Sequence, residues 1–259
     1  ASDYSATVNW GDGTTTVQAV TASGSTFVVP AAHQYSEDGF YPVSVVISDH
    51  GATLTLNGIW TVADAPVAGQ ASAVNASEGS AFAGQVASFT DGNPSSTKAD
   101  FAATINWGDG HNSIGTVNGS AGHFTVSGTN TYGEEGSPTI TVRVTDAGGN
   151  STVITGPATV VDAPLHAGTF SLKAGSNSST AVMSLAFTDS DPSGLTSDYT
   201  VLVNWGDGTT STGTVSSVTG GFLAGGSHTY KAKGTYAVAV TVTDGGGAST
   251  SASGTFVRK

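Results

Sequence analysis

The pentapeptide Asn-Trp-Gly-Asp-Gly occurs three times in this chain of 259 residues. Its tryptophans are Trp10, Trp107 and Trp205, which are 97 and 98 positions apart. Other residues keep the same spacing: Phe27, Phe124 and Phe222; Tyr35, Tyr132 and Tyr230; Asp49, Asp146 and Asp244. A fixed period of this length is typical of tandem domains. The chain is therefore predicted to contain three copies of one unit, which we call repeats one, two and three.

Within each unit, apolar residues alternate with small or polar ones. The alternating residues are Tyr236, Val238, Val240 and Val242 in repeat three, Ile140, Val142 and Val144 in repeat two, and Val43, Val45 and Ile47 in repeat one. Strict alternation indicates half-buried strands, and no helical period is present. A unit of about 98 residues has the size of an immunoglobulin-like sandwich. We predict an all-β fold of tandem immunoglobulin-like β-sandwiches, with a partial domain at residues 1–65 and complete domains at 66–163 and 164–259.

The repeated pentapeptide is interpreted as a structural corner. Val203 and Trp205 are two positions apart, so both point to one face of a strand, and Trp205 is predicted to fill the core. Glycine tolerates positive φ, and aspartate can accept a hydrogen bond from its own backbone two residues on. Asp207, like Asp12 and Asp109, is therefore predicted to form a turn, with a ligand role as the alternative.

A second group of motifs follows each pentapeptide. His228-Thr-Tyr230 and His33-Gln-Tyr35 precede a glycine and the alternating valines, which end in Val-Thr-Asp in repeat three. Together these motifs resemble PKD (polycystic kidney disease) repeats, especially those of large bacterial or archaeal extracellular and surface proteins. The resemblance covers almost the whole chain and implies extracellular sandwiches that serve as spacers, adhesion modules or accessory domains. Asn130-Thr-Tyr132 and Trp60 depart from the pattern.

Repeat one is shorter than the others at its start. Trp107 lies 41 positions after Pro66, and Trp205 lies 41 positions after Pro164, whereas only nine residues precede Trp10. Counterparts of about two strands, near Gly84–Asp91 and Ala181–Asp189, are missing. Either the sequence is cut from a longer chain, or another subunit supplies the strands. At the other end, GTFVRK replaces GPATVVDAP, which predicts that no linker to a fourth copy follows.

Charge and composition narrow the possible partners and the compartment. Seven Lys and Arg stand against 19 Asp and Glu, a net charge of −12, which argues against nucleic acid. No apolar run approaches the ~20 residues of a membrane span. Cysteine is absent, so thiol chemistry is excluded. The balance favours divalent cations or simple solubility. With few sites for trypsin-like proteases, it suits a protein that is secreted or at the cell surface.

Nothing in the sequence predicts catalysis. We find no Gly-x-Ser-x-Gly, P-loop, His-Glu-x-x-His or cysteine cluster. The acidic pairs Glu37-Asp38 and Glu134-Glu135 lie in predicted turns, where solvated carboxylates are ordinary. We predict a protein that is not an enzyme.

One segment has the spacing of a metal site. Asp189, Asp191 and Ser193 stand at positions 1, 3 and 5 of a calcium-loop pattern with Gly194 at 6, although Thr200 replaces the glutamate expected at 12. Repeat two has Asp91, Asn93 and Ser95, but Ser96 in place of the glycine. Asp-Pro and Asn-Pro turns also form without metal.

Topology gathers these acids at the domain junctions. In an immunoglobulin-like order, the loops after the second and the sixth strand lie at the end that receives the linker from the preceding domain. Because like charges repel, each junction must bind a cation or be screened by water. The predicted calcium ligands are Asp189, Asp191, Ser193, Asp244 and Asp162, with Asp91, Asn93, Asp146 and Asp64 at the preceding junction; Asp198 lies nearby.

The function predicted from these features is structural: a non-catalytic stalk or assembly module in which Pro-containing linkers set the spacing of the domains. One alternative is a self-assembling filament or surface-layer subunit completed by strands from a neighbour. Another is a substrate-binding accessory module of a secreted hydrolase. The expected partners are other copies of the chain or upstream repeats, and surface proteins or polysaccharides.

Overall fold

The computed structural model describes residues 2–259. Its secondary structure is 22 β-strands and a single turn of 3-10 helix at Lys98–Asp100. Within that described range, no helix has the length and apolar character to cross a lipid bilayer. The predicted all-β fold class is confirmed.

Repeat one contains six strands. They are β1 (Tyr4–Asn9), β2 (Thr15–Ala19), β3 (Thr21–Ser23), β4 (Thr26–Val28), β5 (Gly39–Asp49) and β6 (Ala52–Val62). Four of them form an antiparallel sheet in the order β2-β1-β5-β6, and β3 pairs with β4 in a separate hairpin.

Repeat two contains eight strands. They are β7 (Val67–Ala71), β8 (Val74–Ser77), β9 (Ala81–Asp91), β10 (Phe101–Asn106), β11 (Asn112–Ser120), β12 (His123–Thr131), β13 (Thr139–Asp146) and β14 (Ser151–Val161). Hydrogen bonds connect them in the order β7-β9-β12-β11-β10-β13-β14-β8. Since β11 pairs with both β12 and β10, one bent sheet supplies both layers of the sandwich. The pairing of β8 with β14 is parallel.

Repeat three also contains eight strands. They are β15 (Leu165–Ala174), β16 (Thr180–Asp189), β17 (Thr200–Asn204), β18 (Thr210–Thr212), β19 (Thr214–Val218), β20 (Gly221–Thr229), β21 (Gly234–Thr243) and β22 (Ser249–Arg258). They form two sheets, β15-β16-β20-β19 and β18-β17-β21-β22.

Each complete repeat encloses its own apolar core. Trp107 is 1% exposed in one core and Trp205 is 0% exposed in the other, which confirms that these tryptophans face inward. The alternating residues of β13 and β21 are buried beside them, because every second side chain of a strand points to the same face. The core of each sandwich thus lies between its two layers.

Repeat one is less completely covered. Val8 is buried, but Trp10, Val43, Val45 and Ile47, whose counterparts are fully buried in the other repeats, are only partly buried. The described residues of repeat one contain no counterparts of β7, β8 and β9, the strands that close the sandwich of repeat two.

Candidate functional site

The aspartate of each Gly-Asp-Gly turn is held by hydrogen bonds. Asp207 Oδ1 accepts from the backbone N of Thr209 at 3.0 Å and from its hydroxyl at 2.6 Å, while Oδ2 lies 2.8 Å from Nε2 of His228. The His228 ring stacks on Trp205, with centroids 5.2 Å apart. The Thr209 hydrogen bond, followed by that of His228, lowers the pKa of Asp207 to about 2. As predicted, the residue forms a turn.

The other two repeats build the same corner with some variation. In repeat one, Asp12 bonds Thr14, lies 2.6 Å from His33, and His33 stacks on Trp10. Repeat two has no histidine at this place, and Asn130 donates a hydrogen bond of 2.7 Å to Asp109 instead. These aspartates are structural parts of the turn and face away from the junctions between repeats.

The cleft between repeats two and three is lined by acidic residues. Its carboxylates come from Glu78, Glu134, Glu135, Asp189, Asp191, Asp198 and Asp244, and the linker residue Asp162 adjoins them. Among the residues that the structure describes, no Lys or Arg lines this cleft. Like charges at this density repel one another unless a cation, protons or water compensate for them.

Two carboxylate oxygens at this junction are buried without a hydrogen-bond partner. Asp162 Oδ2 accepts from the backbone N of Ala248 at 2.6 Å, but Oδ1 has no partner. Asp244 Oδ1 accepts from Gly247 N at 2.8 Å, but Oδ2 has none. A buried, unpaired carboxylate oxygen is costly, since neither water nor a donor replaces its lost hydration. A bound cation would supply the missing partner of both.

Glu78 is the most deeply buried acid of the junction, at 6% exposure. It follows β8 in repeat two, and its Oε1 accepts from the backbone N of Ala163 in the linker at 3.0 Å. One oxygen from each of Glu78, Glu135 and Asp162 lies within 4.8 Å of the others, a spacing that could hold a metal ion. Burial, with a smaller contribution from the neighbouring carboxyls, raises the pKa of Glu78 to about 7.

Gly246 allows these groups to approach one another. A Cβ atom at this position would lie 2.7 Å from Cγ of Asp162 and 2.8 Å from Cδ of Glu135. Any side chain would therefore push the linker carboxylate and the carboxylate of repeat two away from repeat three. The close approach of three chain segments at this point depends on the glycine.

The junction between repeats one and two has the same construction. Its cleft is lined by the carboxylates of Glu37, Asp38, Asp64, Asp91, Asp100 and Asp146. The linker residue Asp64 accepts from Asn150 N at 3.0 Å, and a Cβ on Gly148 would lie 2.6 Å from Cγ of Asp64. Burial raises the pKa of Asp146, as it does for its counterpart Asp244.

Most of the ligands predicted from sequence line these two clefts. Asp189, Asp191 and Asp244 meet beside Asp162 at one junction, and Asp64, Asp91, Asn93 and Asp146 meet at the other. Ser193 is not among the lining residues; its backbone N donates to Asp191 Oδ1 at 3.0 Å. The Asn93 amide likewise donates to Ser36 O and accepts from Ser95 N. The loop pattern thus forms Asx turns, and Ser193 stays only a predicted ligand.

Sequence reasoning missed the acids contributed by the preceding domain. Glu134 and Glu135 were interpreted as solvated, yet they line the cleft, and Glu37 and Asp38 occupy the equivalent places 97 positions earlier. That spacing was the available signal. Glu78 gave none, because the position 98 residues later is Ser176.

The strand order, the buried tryptophan and the tyrosine beside it define tandem immunoglobulin-like β-sandwich domains. Residues 172–258, most of repeat three, match the family model of the PKD domain. The resemblance inferred from the sequence motifs is therefore confirmed, and repeats of this kind are structural or adhesion modules. A comparison with curated protein sequences finds no significant match.

Several solved structures have a similar fold. A tetra-tandem repeat from the extending region of a large adhesion protein is 18% identical, with a TM-score of 0.46, and the match covers 98% of this chain and 66% of that one. Titin domains I67–I69 are 11% identical, with a TM-score of 0.42 and coverages of 100% and 89%. An ICAM-5 D1–D4 ectodomain fragment is 16% identical, with a TM-score of 0.41 and coverage of 84% of this chain; the match spans 61% of that fragment. Identities this low concern the fold alone.

Proposed function

We propose that this chain is a non-catalytic, extracellular stalk or adhesion segment whose domain junctions bind calcium. The observation that carries the proposal is the pair of buried, unpartnered oxygens of Asp162 and Asp244 in a cleft lined by carboxylates. Its partners are neighbouring repeats of the same kind, and surface proteins or polysaccharides for the complete protein. Repeated sandwiches in a row suit a spacer, because each domain adds length without requiring a new fold.

The donor chemistry favours calcium over magnesium. Calcium accepts six to eight oxygen ligands in flexible geometry, whereas magnesium requires near-ideal octahedral geometry and releases its water reluctantly. The second junction offers carboxylates from repeat two, the linker and repeat three. Because three chain segments contribute, an ion bound there would connect both domains and the linker, and would resist bending at the junction.

The proposal predicts a calcium-dependent shape. The chain, freed of metal with a chelator, would be titrated with CaCl2 in a calorimeter, and its maximum dimension would be measured by small-angle X-ray scattering before and after. We expect saturable heat and a longer, stiffer particle with calcium, and a much weaker response to the same concentration of MgCl2. Absence of heat together with identical scattering curves would contradict the calcium proposal and leave junctions screened by water.

A further inference from the structure

Three aromatic rings meet in the core of each complete repeat. In repeat two, Phe89 of β9 stacks on Phe124 with centroids 5.1 Å apart, and Phe101 packs against both rings. Repeat three places Phe187 of β16, Phe222 and Tyr199 in the same way. Repeat one has Tyr4 and Phe27, 4.9 Å apart, but its described residues provide no ring in the place of Phe89 and Phe187.

The missing ring leaves apolar side chains open to solvent. Phe27 is 54% exposed, whereas its counterpart Phe124 is 3% exposed. Trp60 of β6 is 62% exposed, whereas its counterpart Phe256 is 6% exposed. Between them lies a cleft whose wall includes Val8, Trp10 and Tyr35. These side chains form one continuous apolar surface, which we call the open face of repeat one.

The backbone next to this face is also incomplete. Strands β12 and β20 each run for nine residues, because β9 and β16 pair with them along their length. Their counterpart β4 ends after three residues, and residues 29–35 that follow it have no strand pairing. The open face therefore offers a strand edge as well as an apolar surface, the two requirements for binding an extended peptide.

We infer that the open face is an acceptor for a β-strand of a second polypeptide with the sequence pattern of β16. The counterparts of Ala181 and Phe187 in that strand would pair with His33 and Phe27, in the register that joins Ala181 to His228 and Phe187 to Phe222. The donor is not β9 or β16 of this chain or of a second copy, since both are already paired within their own sandwiches.

The end of the donor strand can be specified further. In repeat three, the Tyr199 hydroxyl donates a hydrogen bond of 2.7 Å to Asp189 at the end of β16. Tyr4 is the counterpart of Tyr199, so the donor carries an aspartate two residues after its aromatic ring, as in the Phe-Thr-Asp that ends both β9 and β16. Pro30 lacks an N–H, which leaves one gap in the new ladder. The inference is independent of calcium binding.

A synthetic peptide of residues 180–189 tests the inference on the full chain with calcium removed. We expect saturable binding, a blue shift of tryptophan emission as Trp60 is covered, and slower hydrogen exchange of the amides of residues 31–35. The same peptide with Phe187→Ser should bind at least about tenfold more weakly, since burial of one aromatic ring is lost. Equal binding of the two peptides, or no binding of either, would overturn the inference.

Variants of the chain locate the binding site. Phe27→Ser should weaken binding of the peptide, whereas Val153→Ser, at a similarly exposed position on β14, should not. A chain in which a second copy of residues 180–198 precedes Tyr4 should fill its own open face and lose binding of the free peptide. Sedimentation of the unmodified chain should show a monomer. Concentration-dependent dimers that protect residues 31–35 would identify a second copy as the occupant and would overturn the donor-strand assignment.

Discussion

The hydroxyl of Tyr230 donates a hydrogen bond of 2.7 Å to the main-chain carbonyl of Trp205, across 25 residues and within the core. The same bond joins Tyr132 to Trp107 at 3.3 Å and Tyr35 to Trp10 at 3.0 Å. It fixes the carbonyl of the core tryptophan just before the Gly-Asp-Gly turn. The corner and the core of each repeat are thus connected by one phenol.

The first prediction concerns this bond. Tyr230→Phe leaves the Trp205 carbonyl buried and unsatisfied, so we expect it to lower the free energy of unfolding of repeat three by about 1–3 kcal/mol. Tyr236→Phe removes an exposed hydrogen bond to Ala232 and is the matched control, expected to cost about 0.5 kcal/mol or less. Urea denaturation would measure both. Equal losses would show that burial of the carbonyl is not the cause.

The second prediction concerns the two glycines of the turn. Gly206 and Gly208 both have positive φ, of 78° and 88°. A Cβ on Gly206 would collide with the carbonyl oxygen of Ala237, whereas one on Gly208 would meet no atom within 4 Å. We expect Gly208→Ala to cost about 1–2 kcal/mol from φ alone. Gly206→Ala should cost distinctly more, on the order of 4 kcal/mol. Similar melting temperatures for the two variants would contradict the steric explanation.

The third prediction separates the two junctions. If each junction binds calcium, then a hundredfold excess of calcium over its Kd stabilises that junction by about 2.7 kcal/mol. Asp162→Asn keeps an acceptor for Ala248 but removes the charge, and Asp64→Asn does the same at the other junction. Each variant should lose one part of the calcium-induced rise in melting temperature, and the double variant should lose all of it.

Asp3→Asn, at an exposed position in repeat one, is the control for this series and should respond to calcium like the unmodified chain. A full response of the double variant would show that the acidic linkers do not hold the ion.

The fourth prediction concerns pH in the absence of calcium. The pKa of Glu78 is raised from 4.5 to about 7, mainly by burial. Its contribution to stability is therefore fully present below the unfolded value of 4.5 and is lost as the pH rises through about 7. Glu78→Gln keeps the acceptor for Ala163 and cannot ionise. We expect the metal-free variant to be more stable than the parent at about pH 8.

With calcium present, the sign should reverse, because Glu78→Gln removes one carboxylate from the proposed site. Thermal unfolding with chelator and with calcium would measure both effects. A variant that is less stable than the parent under both conditions would indicate that Glu78 contributes only through packing.

Much of the fold was determined by the sequence itself. Alternation at Tyr236, Val238, Val240 and Val242 forces a strand with one buried face, since successive side chains point to opposite sides. The spacing of Trp10, Trp107 and Trp205 gave the number of repeats, and Gly206 gave the turn. These features are local, so a reader of the chain needs no distant contact to predict them.

The junctions were only partly predictable. Asp162, Asp189 and Asp244 could be placed together by topology, because a sandwich brings the loops at one end close to the linker. Glu78 and Glu135 could not, since neither lies in a loop of repeat three and each looks like an ordinary surface acid in the sequence. Their proximity to Asp162 arises from the way repeat two sits against repeat three.

Only the tertiary structure decided which acids are buried and which oxygens lack a partner. The orphaned Oδ1 of Asp162 depends on Ala248 taking the other oxygen, and the raised pKa of Glu78 depends on the packing around β8. Hydration, hydrogen bonding and charge repulsion at a junction are properties of atoms far apart in the chain. The sequence determines the sandwiches through local periodicity, whereas the electrostatics between them arise only when the folded domains meet.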